Sequence, residues 1–146
     1  MARKRDQPPP RTGGGETEVL RGFLDYLRAA VIAKVEGAPE PRVRAAMVPS
    51  GTNLLGLLRH LTFVERATFL GKKPRSWQAT FHVPSTDSIA DVVAGYREAV
   101  ERSNEVLDAS AAEDVRWRLA HMIEETGRHA GHEDILRELI DGATGR

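Results

Sequence analysis

Apolar residues recur every three or four positions in four separate segments of this chain, and this spacing constrains the fold more than any other feature. It places apolar side chains on one face of an α-helix. The pattern predicts helices over about Glu16–Glu36, Asn53–Leu70, Ser88–Leu107 and Val115–Asp141. No pair of segments reads as paired strands, so we expect an all-α protein, a four-helix bundle.

Residues at the segment ends agree with these boundaries. Gly37, Gly71 and Gly142 follow three of the segments, at the position where glycine commonly ends a helix. Before the last segment, Ser110 and Glu113 have the spacing of a capping box, in which each side chain bonds the backbone of the other residue. We therefore expect that pair to cap the last helix.

Two other segments lack a helical pattern. Residues 1–15 contain three consecutive prolines and three consecutive glycines, a composition that predicts a flexible tail before a single domain over 16–146. Residues 71–87 form a long connection that contains prolines and two aromatic residues. Ordered loops of this length are often functional. Periodicity leaves open whether this connection is a hairpin loop or a crossover.

Composition limits the function classes. Lys+Arg and Asp+Glu balance at 21 each, so we expect no partnership with nucleic acid or an anionic membrane. The chain has no cysteine, which excludes disulfides, thiolate metal sites and a thiol nucleophile of its own. It has no apolar run of the roughly 20 residues that a membrane span requires and no secretory signal pattern, so we expect a cytoplasmic protein.

The second predicted helix, Asn53–Leu70, is apolar nearly all round. A helix of this kind is either buried in a core or covered by another subunit. We therefore predict a homodimer.

The last predicted helix has a gap in its apolar face. Between Met122 and Leu136, the positions that continue this face are Glu125, His129 and His132. Steps of four and three residues place these side chains within about one turn of each other. A carboxylate and imidazoles facing a core cost several kcal/mol if nothing pairs with them.

His60 is a matching anomaly in the second helix, where apolar residues surround it in sequence. If the second and last helices face each other, His60 meets Glu125 and His129. Two imidazoles and one carboxylate suit Zn²⁺, Ni²⁺ or Fe²⁺ and leave a coordination position open, as in catalytic sites. The competing interpretations are a hydrogen-bonded core histidine at position 60 and a chance Glu-x-x-x-His on a surface helix.

These same residues carry a family resemblance. Residues 49–61 read PSGTNLLGLLRHL and residues 121–132 read HMIEETGRHAGH, and both resemble the DinB-like superfamily, above all an actinobacterial branch of unknown function. Residues 23–28 and 134–142 also fit that branch, so the resemblance covers the chain beyond its tail.

The resemblance implies a DinB-like four-helix bundle with a metal held by one side chain from the second helix and two from the last. His60 falls at the first ligand position and His129 at the third. Glu125 falls at the middle position, where many relatives have histidine and the mycothiol-dependent maleylpyruvate isomerases have glutamate. His132 then has three possible roles: a fourth ligand, a proton donor or a partner that orients a ligand. His121 is a further candidate for moving protons.

Characterised members of the superfamily are thiol-dependent metalloenzymes, including mycothiol- and bacillithiol-dependent transferases and isomerases. The resemblance therefore implies an enzyme that adds or transfers a low-molecular-weight thiol, such as mycothiol, to a small electrophilic substrate. An open metal site suits such chemistry because it favours the thiolate form. Two alternatives stay open: metal-assisted hydrolysis, and a non-enzymatic stress-response or binding protein whose polar cluster is structural.

Overall fold

The computed structural model of the protein describes residues 6–145, and this part of the chain contains four α-helices and no strand. The helices are α1 (Glu16–Val35), α2 (Leu54–Leu70), α3 (Ile89–Asp108) and α4 (Ala112–Asp141). The prediction of an all-α four-helix bundle is confirmed. Four of the eight helix ends differ from the sequence prediction by one residue and three agree with it, while α4 begins three residues earlier than predicted.

Local chemistry accounts for most helix ends. Ser88 and Asp91 form a reciprocal capping box at the start of α3, and the Asn53 side chain accepts a hydrogen bond from the Gly56 amide at the start of α2. Gly71 and Gly142 adopt left-handed backbone conformations directly after α2 and α4, with φ of 66° and 78°. Only glycine enters this region without steric cost.

The capping box predicted for α4 is wrong. The residue before α4 is Ala111, and no side chain caps this helix. The Ser110 hydroxyl instead donates a hydrogen bond to the Val106 carbonyl in the last turn of α3. The chain turns so tightly between α3 and α4 that Ser110 serves the end of one helix rather than the start of the next.

The long connection between α2 and α3 is a crossover. Arg59, in the middle of α2, donates hydrogen bonds to the carbonyls of Ala79 and Thr80, so the connection runs back along α2 from its end toward its start. A short 3₁₀ helix at Gln78–Phe81 lies in this return path. Helices α2 and α3 therefore run in the same direction.

Helices α1 and α4 also run in the same direction. Glu16 pairs with Arg116 near their beginnings, and Lys34 pairs with Asp134 near their ends. The bundle thus consists of two parallel pairs, α1 with α4 and α2 with α3, packed in opposite directions. This arrangement brings the middle of α2 against the middle of α4.

The apolar character of α2 is accounted for by the core of one chain. Five leucines of this helix are at most 1% exposed: Leu54, Leu55, Leu57, Leu58 and Leu61. No second subunit is needed to cover them. The homodimer stays a prediction.

Arg28 of α1 and Glu65 of α2 form a polar pair inside the bundle. The Arg28 guanidinium donates to both carboxylate oxygens of Glu65, over 2.7 and 2.8 Å, and also to Asn104 at 2.9 Å. Both partners are buried, and this fork-like pairing compensates part of the desolvation cost of two charges.

Residues 1–5 of the predicted tail lie outside the described residues, and so does Arg146 at the other end of the chain. Residues 6–15 contain no helix or strand, and the Gln7 carbonyl accepts a hydrogen bond from the Tyr26 hydroxyl. Among the described residues, none of the helices has the length and apolar character of a membrane span.

Candidate metal centre

Three side chains from α2 and α4 meet on one side of the bundle. His60, Glu125 and His129 each offer one ligand atom, and these three atoms all lie within 4.8 Å of one another. The His129 Nε2 atom is 3.6 Å from Glu125 Oε2, and the His60 and His129 rings are 5.0 Å apart between centroids. Of the described part of the chain, this is the only such cluster of histidine, aspartate or glutamate side chains.

The donor set fits a divalent transition metal. Metal–nitrogen and metal–oxygen bonds of about 2.0–2.2 Å place the ligand atoms of a tetrahedral site about 3.4 Å apart. The 3.6 Å separation of His129 Nε2 and Glu125 Oε2 is close to this value, and the ligand atom of His60 lies within 4.8 Å of both. Two imidazoles and a carboxylate suit zinc, nickel or iron better than magnesium or calcium.

Both imidazoles of the cluster are held neutral. Burial, followed by the neighbouring His129 ring, lowers the pKa of His60 to about 4. Burial, followed by the charges of His132 and Arg128, lowers the pKa of His129 to about 4. Since only a neutral imidazole nitrogen has a lone pair to give, the site is ready for a metal at neutral pH without losing protons.

The crossover packs tightly around His60. The Phe81 ring stacks on the His60 ring at 3.9 Å between centroids, with 11° between the planes. The Trp77 ring meets the same imidazole edge-on at 5.9 Å. These contacts leave His60 7% exposed and restrict the rotation of its ring.

Thr80 determines which nitrogen of His60 is free. The Thr80 hydroxyl donates its one hydrogen to the Trp77 carbonyl, and its oxygen lies 2.7 Å from His60 Nδ1. Because that hydrogen is already used, the oxygen accepts from Nδ1–H. The lone pair of His60 is therefore on Nε2, the nitrogen away from Thr80.

His132 contacts His129 and lies outside the cluster of three. The Nδ1 atoms of the two rings are 3.3 Å apart, so one donates to the other. If His129 offers Nε2 on the side of Glu125, its Nδ1 carries the hydrogen and His132 Nδ1 accepts it. The sequence left three roles open for His132. This geometry fits the role of a partner that orients a ligand.

The other histidines stand apart. His121 stacks on Trp117 at 4.9 Å between centroids, and Trp117 is 71% exposed. Met122 is fully buried, as expected of a packing residue. His82 is an exposed residue of the crossover.

Sequence reasoning missed two features. The first is Thr80, whose role depends on a crossover that periodicity could not establish. The second is Glu133, which is fully buried with no hydrogen-bond partner for either carboxylate oxygen, next in sequence to an exposed His132. The side chains of α4 that face the core include Thr126, Ala130 and Glu133, at steps of four and then three residues. The same steps, taken one residue later than the predicted face, therefore lead to Glu133 instead of His132.

Comparison with known proteins identifies the family of this chain. A family model described as mycothiol-S-transferase, a DinB-like family, matches residues 19–142. Neither a curated protein nor a solved structure matches the chain. The matched range contains α2, α3 and α4 in full and α1 from Val19 onward, and the positions of His60, Glu125 and His129 fall within it. The chain belongs to the mycothiol-S-transferase family.

Proposed function

We propose that this protein is a divalent-metal-dependent transferase that joins a low-molecular-weight thiol, such as mycothiol, to a small electrophilic substrate. The observation that carries the proposal is the meeting of His60, Glu125 and His129, with neutral imidazoles, in a chain of the mycothiol-S-transferase family. The chain has no cysteine, so the sulfur must come from a cosubstrate.

In this reaction the thiol gives its proton to water and its sulfur forms a bond to an electrophilic carbon. The bond from that carbon to the leaving group breaks, and the leaving group departs as an anion with the electron pair, so that the net products are the thioether, the anion and the proton released to water. A divalent ion at the site supplies Lewis acidity, which lowers the pKa of a bound thiol.

The protein's own residues supply position and a fixed pattern of hydrogen bonds. Thr80 holds His60 with its Nε2 lone pair free, and His132 accepts the Nδ1–H of His129. Phe81 and Trp77 keep water away from the back of the His60 ring, which preserves its hydrogen bond to Thr80. We assign His132 to the orientation of His129 rather than to the ligand set.

The test is a transfer assay with purified untagged protein. Zinc-, nickel- and iron-loaded samples are supplied with mycothiol and 1-chloro-2,4-dinitrobenzene, and thioether formation is followed by absorbance. We expect turnover that chelation removes and metal restores, and a loss of at least 100-fold in His60→Ala. His82→Ala, which changes an exposed histidine outside the cluster, should retain full activity.

A metal-loaded protein that hydrolyses activated esters but transfers no thiol would overturn the proposal in favour of metal-assisted hydrolysis. If the folded protein binds no metal, the result would instead favour a non-enzymatic binding protein in which the polar cluster has a structural role. We also propose a cytoplasmic location, because low-molecular-weight thiols are kept reduced there.

A further inference from the structure

A groove lies beside the cluster of His60, Glu125 and His129, between the segment that precedes α2 and the second half of α4. Its volume is about 270 Å³. Six residues line it: Val48, Ser50, Thr52, His132, Ile135 and Leu136. His132 belongs to both features, since its Nδ1 atom is 3.3 Å from His129 Nδ1. The groove therefore continues from the histidine that contacts the cluster.

From this continuity we infer that the groove binds the electrophilic substrate, and that its substrates are small uncharged molecules with an apolar body and a hydrogen-bond acceptor. The inference rests on the proposed function for the role of the ligand. The chemistry of the ligand is argued from the groove itself.

The lining supports an apolar, uncharged ligand. Val48, Ile135 and Leu136 supply aliphatic surface, and no lysine, arginine, aspartate or glutamate lines the groove. Leu136 is buried at 3% exposure and Ile135 is 60% exposed, an open position for an isoleucine on a helix surface. A charged ligand would lose hydration here with nothing of opposite sign to compensate.

A second surface cavity shows the contrast. It lies between α2 and α3, and its lining includes Arg66, Lys72, Glu98 and Arg102. That cavity is at the C-terminal end of α2, beyond His60 by more than one helical turn. Its charged side chains and its separation from the cluster make it unsuitable for an apolar molecule that must meet the thiol.

The polar side chains of the groove indicate where the hydrogen-bond acceptor of the substrate would bind. The Ser50 and Thr52 hydroxyls are hydrogen-bonded to each other over 2.9 Å. With the His129 Nδ1–H donated to His132 Nδ1, the ring hydrogen of His132 is on Nε2. His132, which lines the groove, thus has an N–H group free to donate. This donor suits a carbonyl, nitro or similar oxygen beside the electrophilic carbon.

The groove is also built on fixed backbone. Asn53 caps α2 immediately after Thr52, and the Gly51 amide donates to the Val48 carbonyl in the turn before it. The opposite wall belongs to the 30-residue helix α4. Such a preformed cavity binds without the cost of ordering a loop.

The experiment is a titration of zinc-loaded protein with 1,3-dinitrobenzene, followed by the methyl NMR signals of isoleucine, leucine and valine. The probe is uncharged, carries acceptor oxygens and has no leaving group. We expect saturable shifts at Val48, Ile135 and Leu136, at least fivefold weaker binding in Ile135→Asp, and weaker binding of the anion 3,5-dinitrobenzoate. Leu139→Asp, a change at an exposed residue one turn further along α4, should bind as the unchanged protein does.

Largest shifts outside the groove, or equal binding by Ile135→Asp and the unchanged protein, would overturn the inference. Tighter binding of the anion would also overturn it. Because no thiol is present, the result does not depend on transfer. Failure of the groove and failure of the transferase proposal are therefore seen in separate experiments.

Discussion

At the scale of single residues, the Thr80 hydroxyl directs the Nε2 lone pair of His60 toward the cluster. Thr80→Val removes the acceptor for Nδ1–H and leaves that buried donor unpaired. We expect zinc affinity to fall about tenfold or more, the usual effect of losing a partner of a metal-ligating histidine. Thr80→Ser keeps the hydroxyl and should retain most of the affinity.

Calorimetric titration of metal-free, untagged protein with zinc gives these affinities. Circular dichroism of both variants checks that the helices are intact. Equal zinc affinity in Thr80→Val and Thr80→Ser would show that packing by Phe81 and Trp77, and not the hydroxyl, holds the ring.

Glu133 is a second residue with a distinct physical signature. Burial, followed by the charge of Asp134, raises the pKa of this carboxyl well above its usual range. The folded state therefore holds a proton that the unfolded state loses above about pH 4.5. Its contribution to stability is complete below that pH and is lost as the pH rises toward the folded-state pKa.

Glu133→Gln, which mimics the protonated side chain, should therefore raise the free energy of unfolding at pH 7.5 by about 1 kcal/mol and have little effect at pH 4.5. Urea unfolding at the two pH values measures the difference. Glu138→Gln, at an exposed position of the same helix, is the control. A gain in Glu133→Gln that is equal at both pH values would contradict a buried, protonated carboxyl.

At the scale of elements, the crossover is seated on α2 at Gly56. A Cβ atom there would lie far inside contact distance of the Phe81 carbonyl oxygen. Because this oxygen belongs to the backbone, no side-chain rotation can relieve the clash. Gly56→Ala should displace the crossover, destabilise the protein by about 1–3 kcal/mol and weaken zinc binding through Thr80 and Phe81.

Gly131→Ala is the matched control. A Cβ atom at this exposed position of α4 meets nothing within 4 Å, so alanine should stabilise the helix by about 0.5–1 kcal/mol. Thermal unfolding and zinc titration are measured for both variants. If Gly56→Ala behaves like Gly131→Ala, the crossover does not depend on this close approach.

The elements also show what sequence reasoning could predict. Apolar periodicity predicts all four helices, and breaks in it at His60 and Glu125 identify residues that meet in space, because a helix face is fixed by local geometry. The direction of α3 and the position of Thr80 depend on contacts between residues about 20 positions apart. The same limit hid Glu133, since a helix face alone does not show which of two adjacent polar residues is buried.

At the scale of the whole molecule, the homodimer stays a prediction. The leucines of α2 no longer support it, because they are covered within one chain. Light scattering after gel filtration should give about twice the 16.1 kDa of one chain. A mass of one chain at all concentrations would remove the prediction.

The central claim is that His60, Glu125 and His129 hold one divalent metal ion, and elemental analysis of untagged protein tests it most directly. We expect close to one equivalent of zinc, nickel or iron in the unchanged protein and in His82→Ala. His60→Ala and Glu125→Ala should each lose it. No bound metal in the unchanged protein after reloading, or full metal content in both cluster variants, would contradict the claim.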